Sequence, residues 1–301
     1  MISVIIPSYK NKELLLTNLK HNLQYLPYCE VIIVNDDPTD SLKQDLKEFP
    51  QILLIENPEN KGFGQSVNLG LTKAKYPFVM LLNSDVCLID DSFKNALRQL
   101  KKDSTLFAIS FAQKEKDGSL VGKNKLYWKN GMIYHQKSNN LTFGINGWAE
   151  GGSCLIDRKK FMDLKGFDSQ YKPFYWEDID LSYRAWKHGY KVFFDPEIIV
   201  EHNHESTIGK YFTPHTVETT SFRNQFIFIW KNITDIKLIL SHICLLPYNI
   251  VYYFLMKGRF NFLLGLLEAI KRVNEVLVLR KDSCNGNTLS DEKILLGFRY
   301  E

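Results

Sequence analysis

The sequence predicts an α/β fold, a mostly parallel sheet flanked by helices, followed by a C-terminal helical appendage. Three observations carry that expectation. Short apolar runs at Ile2 to Ile6, Val31 to Val34, Ile52 to Ile55 and Phe78 to Leu82 are separated by stretches of helical length, the alternation typical of a parallel sheet with helices on its faces. The first, second and fourth runs end in polar or rigid residues, which gathers those residues at one sheet edge. Beyond residue 212 the pattern changes to long apolar stretches with basic residues between them.

The first strand ends in Pro7, Ser8 and Tyr9. The second is built of β-branched residues and is followed by Asp36, whose carboxylate at a strand tip can accept hydrogen bonds from a nucleobase N–H or ribose hydroxyls. Helix capping by Thr39 or Asp40 accounts for those two residues but less well for the preceding pair of acids. The stretch from Glu59 to Gly70 is glycine-rich and opens a helix. Glycines permit close backbone approach and a helix N-terminus favours anions, which fits a phosphate near Lys61, Gly62 and Asn68. It is no dinucleotide fingerprint, because it follows the third strand and lacks the glycine triplet. The fourth run breaks into Asn83, Ser84 and Asp85. Open α/β sheets bind ligands outside the carboxyl ends of their strands. Asp85 is a hard oxygen ligand suited to magnesium or manganese, or else part of a simple turn.

A helix from about Asp91 to Lys102 and a strand near Leu106 to Phe111 come next. Residues 114–146 read as hairpins without a legible function. Trp148, Gly151 and Gly152 precede a short strand, Cys154 to Asp157; a glycine pair beside a tryptophan lets backbone approach something bulky, or marks a β-bulge. Between Phe174 and Trp186, Ile179, Tyr183 and Trp186 recur at helical spacing, which places Glu177 and Asp178 in the first turn. The helix dipole accounts for acids there and would keep their pKa low. Three aromatics ending in Trp176, directly before two acids, also suit a sugar ring and a carboxylate that draws a hydroxyl proton, help that contributes ~10² to 10⁴ in rate. After strands near Val192 to Phe194 and Ile198 to Val200, His202 and His204 fall at i, i+2 on an extended segment, a geometry open to metal ligation.

In the appendage, Leu238 to Met256 carries no formal charge and approaches the apolar thickness of a bilayer at ~1.5 Å per residue. Ser241, His242, Pro247 and Asn249 interrupt it, and Lys237 and Lys257 flank it. Phe260 to Arg280 is amphipathic. Helices lying in the cytosolic face of a membrane fit both segments; a helical subdomain packed on the core, or a homodimer interface, fits them too.

The bulk numbers agree. At 301 residues, 45% hydrophobic and 24% charged, the chain is large enough for one sizeable core with an appendage. Cys29, Cys87, Cys154, Cys244 and Cys284 lie far apart with no zinc or redox spacing, so reduced thiols in a cytosolic setting are expected. Ile2 to Ile6 follows Met1 directly and leaves no room for a basic and apolar leader, so a cytoplasmic protein is expected. Residues 1–220 hold 27 Lys/Arg and 27 Asp/Glu, whereas residues 221–301 hold 11 and 7, so the formal charge of +4 resides in the C-terminal part. Basic residues interleaved with apolar runs fit an anionic membrane surface better than nucleic acid.

Taken in order, these features resemble the family-2 glycosyltransferases with the GT-A fold, most closely their bacterial rhamnosyltransferase-like branch, from Ser3 to about Ser206 and more weakly through Arg223-Asn224. The resemblance implies that Pro7, Ser8 and Tyr9 line the nucleotide pocket, that Asp36 contacts the base, and that Lys61, Gly62 and Asn68 border the nucleotide-sugar. Asn83, Ser84 and Asp85 stand where the family has Asp-x-Asp, leaving Asp85 the sole carboxylate of the motif. The resemblance makes Asp178 the general base with Glu177 in support, and Asp85 with His202 the site of Mg2+ or Mn2+. Trp148, Gly151, Gly152 and Trp176 fall on the acceptor side.

It further implies a catalytic domain over 1–212, its nucleotide-sugar half about 1–112 and its acceptor half about 113–212, and a membrane-associating region over 213–301. The expected activity is inverting transfer of rhamnose or a hexose from a dTDP- or UDP-linked donor to a saccharide acceptor carried on a lipid. The setting would be polysaccharide synthesis at the inner face of the cell membrane, peripherally bound, with no nucleic-acid partner and a homodimer open. A sugar-phosphate nucleotidylyltransferase shares the architecture but carries Gly-x-Gly-Thr-Arg where this chain has Pro7-Ser8-Tyr9-Lys10. A non-catalytic scaffold of a membrane complex is the other alternative.

Overall fold

The computed structural model describes residues 1–202, 207–284 and 286–298. Its strands are β1 (Ser3–Ser8), β2 (Glu30–Asn35), β3 (Ile52–Glu56), β4 (Phe78–Leu82), β5 (Val86–Leu88), β6 (Leu106–Lys114), β7 (Leu120–Val121), β8 (Asn124–Lys129), β9 (Met132–Lys137), β10 (Gly144–Ile145), β11 (Ser153–Asp157) and β12 (Lys191–His202). The helices used below are α1 (Lys12–Leu23), α2 (Phe63–Lys73), α3 (Phe93–Lys102), α4 (Arg158–Asp163), α5 (Glu177–Lys187), α6 (Thr207–Tyr211), α7 (Pro214–Asn232), α8 (Ile236–Val251) with a π turn at Tyr252–Met256, α9 (Phe260–Lys271), α10 (Val273–Cys284) and α11 (Asp291–Gly297).

One sheet runs in the order β10-β12-β6-β11-β4-β1-β2-β3, with β5 added beside β12 and β7 beside β6; β8 and β9 form a separate hairpin. The half β4-β1-β2-β3 is parallel, and β1 and β2 finish in register with Ser8 opposite Asn35. Both faces are buried, so the strands read as continuous apolar runs. Successive residues alternate between two cores. Val4, Ile6, Val31, Ile33, Met80 and Leu82 face α1 and α3, while Ile5, Ile32, Val34, Val79 and Leu81 face α2 and the later helices.

Two antiparallel returns decide what meets at the carboxyl edge. β11 pairs with β4 so that Ser153 lies opposite Leu82, which sets Gly152 against Asn83. β12 pairs with β5 so that His202 lies opposite Val86, which sets His202 beside Asp85.

The core does not stop at residue 212. Phe226, Ile227, Phe228 and Ile229 of α7, Phe262, Leu266 and Ala269 of α9, and Ile294, Leu295 and Phe298 around α11 belong to the same cluster as the α2 face of the sheet. Gly265 lets α9 cross α7 closely: a Cβ there would lie 2.7 Å from the Phe222 Cβ and 2.8 Å from the Arg223 nitrogen. In contrast, α8 and its π turn leave Ile236, Leu240, Ile243, Val251, Phe254, Leu255 and Met256 exposed.

Candidate active site

The Asn83-Ser84-Asp85 turn is held from below by three asparagines, Asn11 at the N-cap of α1 and Asn18 and Asn22 within it. The Ser8 hydroxyl donates to Asn11 Oδ1 at 2.9 Å, and Asn11 Nδ2 donates in turn to Ser84 Oγ. Asn18 Nδ2 donates to the Ser84 carbonyl and Asn22 Nδ2 to the Val86 carbonyl, both at 2.9 Å, while Asn22 Oδ1 accepts from the Leu88 N–H at 2.8 Å. Sequence reasoning missed this clamp. The available signal was a row of amides interleaved with Leu15 and Leu19 on the buried side of α1.

Asp85 Oδ2 lies 3.5 Å from His202 Nε2, and Glu115 Oε1 lies 3.7 Å from His202 Nδ1. Burial by itself would lower the His202 pKa, but Asp85, Glu115 and Glu150 together hold it above its ordinary value. Asp85 Oδ1 is buried and, among the described residues, accepts no hydrogen bond. A carboxylate oxygen without a donor, beside an imidazole, fits Mg2+ or Mn2+. Among the described residues no group of three or more His, Cys, Asp and Glu forms a metal cage. His204 lies outside the described residues.

Asp178 sits in the first turn of α5, where its carboxylate accepts the Ile179 N–H at 2.8 Å and the nearby Gly151 backbone N–H favours its charged form. Its pKa is nevertheless pushed up to about 7, first by burial and then by the charge of Glu150. Glu177 is raised as well, by burial and by Asp178, and its Oε2 is buried without a partner among the described residues. The helix dipole alone would have kept both low; desolvation and acid-acid repulsion outweigh it here.

Glu150 was not among the predicted residues. It accepts from Asn124 Nδ2 at 2.9 Å and from Gln113 Nε2, and its charge reaches both Asp178 and His202. The adjoining glycines are required by close approach. A Cβ on Gly151 would fall 2.8 Å from the Phe63 ring and one on Gly152 2.5 Å from Asn83 Nδ2, and the Asn83 N–H donates to the Gly152 carbonyl at 2.9 Å.

The other predicted residues make contacts of different kinds. Asp36 is buried, its Oδ1 accepting from Asn57 Nδ2 at 2.7 Å and the Lys61 N–H at 2.8 Å, its Oδ2 from the Gly62 N–H at 2.8 Å. It therefore shapes the loop into α2. Asn68 is engaged at both ends by Phe167, accepting its N–H at 2.9 Å and donating to its carbonyl at 2.8 Å. Pro7 is buried within β1, and Tyr9 meets Tyr211 edge to face at 6.3 Å. Lys61 is partly exposed beside Gly62.

Trp148 and Trp176, both buried, flank the His135 ring at centroid distances of 5.6 and 5.4 Å. Tyr175 and Trp176 adopt left-handed backbone at φ 70° and 77° just before α5, a conformation that persists only where surroundings impose it. Asn224 of α7 imposes it, donating to the carbonyls of Tyr171, Phe174 and Tyr175 at 3.0, 2.9 and 2.9 Å.

A mostly parallel sheet with a carboxylate and an imidazole at its carboxyl edge, crossed by two antiparallel returns, is the GT-A fold of nucleotide-sugar transferases. The chain belongs to glycosyl transferase family 2, whose model matches residues 3–165. Poly-beta-1,6-N-acetyl-D-glucosamine synthase of Staphylococcus aureus strain COL is 25% identical over 201 residues, 65% of this chain and 48% of that protein. The Staphylococcus epidermidis synthase of the same name is 24% identical over 214 residues, 69% of this chain and 51% of that one. The chain thus spans about half the length of the curated relatives it matches.

Among solved structures, GalNAc-T7 with UDP, GalNAc and Mn2+ superposes with a TM-score of 0.68 at 16% identity, covering 100% of this chain and 56% of that one. Mannosyltransferase PcManGT from Pyrobaculum calidifontis, with GDP-Man and Mn2+, gives 0.56 at 14% identity, covering 99% and 86%. S. aureus TarS 1-349 with UDP gives 0.54 at 14%, covering 99% and 91%. At these identities the likeness is one of fold.

Proposed function

We propose that the chain is an inverting glycosyltransferase moving rhamnose or a hexose from a UDP- or dTDP-linked donor to a saccharide acceptor carried on a lipid, in cell-surface polysaccharide synthesis. The observation that carries this reading is that Asp178, buried and with its pKa pushed up to about 7, lies close enough to the Gly151 backbone to feel its N–H, while the adjoining Gly152 carbonyl accepts the Asn83 N–H at 2.9 Å. A proton acceptor and the donor motif therefore share one corner of the sheet edge.

In this mechanism Asp178 takes the proton of an acceptor hydroxyl as that oxygen attacks the anomeric carbon opposite the departing nucleoside diphosphate, and the configuration inverts. A raised pKa suits the task, because a general base works best when its pKa lies near the operating pH. Glu150 raises that pKa, and Glu177 stands beside it as the supporting acid. Asp85 and His202 would hold Mg2+ or Mn2+, which when bound neutralises charge growing on the pyrophosphate. Solved structures of the same fold hold UDP with Mn2+, GDP-Man with Mn2+, and UDP, which supports the donor class. The exposed apolar face of α8 supports peripheral attachment to the cytosolic leaflet, where a lipid-linked acceptor lies.

The test measures UDP and dTDP affinity calorimetrically with and without manganese, and then turnover of Asp178→Asn. Transfer is expected to fall by ~10² to 10⁴ with nucleotide affinity retained. Unimpaired transfer by the variant would remove Asp178 as the base; failure of any nucleotide to bind would remove the transferase reading itself.

A further inference from the structure

One face of α7 runs along the segment that carries the proposed base. Asn224, Phe228 and Lys231 recur at i, i+4 and i+7 on that face, and all three are buried. We infer that Asn224 and Lys231 are positioning residues for Asp178: they fix the entry and the first turn of α5, so that a C-terminal helix sets where the proton acceptor stands. The inference rests on the reading of Asp178 as the base.

Asn224 acts on the entry. Its amide donates to the carbonyls of Tyr171, Phe174 and Tyr175, and Tyr175 and Trp176 are the two left-handed residues that lead into the helix. Neither is glycine, so the conformation is held against a steric penalty. Released, the two would return to negative φ and the chain would enter α5 from another direction. Phe228 closes the space between, its ring 5.2 Å from that of Trp176 and 5.0 Å from that of Tyr183.

Lys231 acts on the first turn. Its Nζ donates to both carboxylate oxygens of Asp180 at 3.0 Å and to Asp168 Oδ2 at 2.5 Å. Asp180 follows Asp178 by two residues, and its N–H closes the first turn of α5 on the Trp176 carbonyl at 2.8 Å. Asn232 Nδ2 and the Tyr171 hydroxyl donate to Asp180 Oδ1 at 2.7 and 2.8 Å, and Arg184 Nε donates to Oδ2 at 2.8 Å. Asp168 and Asp180 thus balance Arg184 and Lys231. Such a buried set adds little net stability, because desolvating the charges costs about what pairing them returns. Its use here is directional. A carboxylate bonded from the loop at Tyr171, from α5 and from α7 has one place to be, and the backbone two residues away carries Asp178. Placement of this kind matters to rate, since a displacement of ~1 Å can cost ~10²-fold.

The test uses the full chain, with UDP affinity measured calorimetrically in manganese. Turnover is measured as nucleotide release from UDP-glucose, UDP-galactose, UDP-N-acetylglucosamine and dTDP-rhamnose, with glucose or rhamnose oligosaccharides as acceptors. Lys231→Met and Asn224→Ala are each expected to lower kcat by ~10- to 10²-fold with donor KM and UDP affinity unchanged. Combining Lys231→Met with Asp168→Asn separates placement from charge balance. The buried charges are neutral again in that double variant, so Tm should recover, while kcat should stay low because α7 still lacks the lysine's bonds to Asp180. Recovery of kcat together with Tm, or single variants with wild-type kcat, overturns the inference. Should one single variant fail to bind UDP, its fold is compromised and the other decides. If the wild type binds UDP but turns over none of these donors, hydrogen–deuterium exchange of the UDP-bound chain decides: faster exchange confined to residues 174–181 in the variants supports the positioning role, and unchanged exchange there overturns it. Asp178→Asn keeps the two failures apart. A wild-type rate in that variant removes the base itself, whereas a low rate there beside wild-type rates in the α7 variants removes only the positioning role.

Discussion

Asp178 and Asp180 lie two residues apart on α5 and titrate in opposite directions because their neighbours differ. Burial raises both, but Asp180 is surrounded by Arg184 and Lys231, whose charges outweigh the penalty and hold it well below the usual carboxylate range. Asp178 has the acid Glu150 instead and rises to about 7. Two outcomes follow. Transfer rate should climb with pH as Asp178 loses its proton, and Glu150→Gln should move the midpoint of that climb to lower pH; a kcat/KM profile with an unmoved midpoint would mean that Glu150 has no such influence. Glu177, raised toward about 8, holds a proton in the native state that the unfolded chain has already released above its ordinary value. Below that ordinary value both states are protonated and nothing is lost, but stability declines as pH rises toward the native pKa. Glu177→Gln should therefore raise Tm at pH 8 and leave it nearly unchanged at pH 4. The sequence placed Glu177 and Asp178 at a helix start; their elevated pKa was not legible there, since it comes first from burial and, for Asp178, also from Glu150, which arrives from a distant loop.

At the scale of elements, the four parallel strands were readable because each is apolar along its whole length and ends in a polar break. The returns were not. Nothing local in β11 or β12 states that Ser153 will face Leu82 or His202 will face Val86, yet those two registers bring Gly152 and His202 to the Asn83-Ser84-Asp85 turn. The α1 clamp was similarly hidden, because Asn11, Asn18 and Asn22 read as ordinary helix polarity until their partners at 84, 86 and 88 are known. A further element-scale contact is testable directly. Gly265 stands where α9 crosses α7, and an added methyl would press on the α7 backbone, which cannot step aside as a flexible side chain can. Gly265→Ala should cost ~1 to 3 kcal/mol, read as a lower denaturant midpoint, even though alanine favours helix. A neutral or stabilised variant would show that the two helices can separate without penalty.

For the whole molecule the issue is how a catalytic domain and an apolar helix coexist. The 21-residue stretch Ile236–Met256 is long and apolar enough to cross a membrane by length and composition, but the polar residues that interrupt it are the ones that hold it against the rest of the protein. His242 bonds the Gly131 carbonyl at 2.7 Å and accepts from Trp230 Nε1 at 3.0 Å, Ser241 Oγ accepts from Trp128 Nε1 at 3.4 Å, and Asn249 Nδ2 donates to the Asn130 carbonyl at 2.8 Å. One side of α8 is thereby fixed along the tip of the β8–β9 hairpin and α7, while Leu240, Ile243, Leu255 and Met256 remain outward. A helix anchored in this way is suited to lie on a bilayer, under the membrane reading proposed above. Deleting everything beyond residue 235 would be a poor test of it. Asp291 would be lost, and its carboxylate accepts from the Tyr183 hydroxyl at 2.6 Å, Lys187 Nζ at 2.9 Å and the Asp235 N–H at 2.7 Å, which ties the C-terminal segment to α5. The cleaner variant replaces Leu240, Leu255 and Met256 by glutamate. Those side chains are exposed, so Tm and UDP affinity should hold, while cosedimentation with vesicles rich in anionic lipid should drop sharply, since each substitution removes apolar contact and adds repulsion. Vesicle binding equal to that of the wild type would place the membrane contact, if there is one, on another face of the protein.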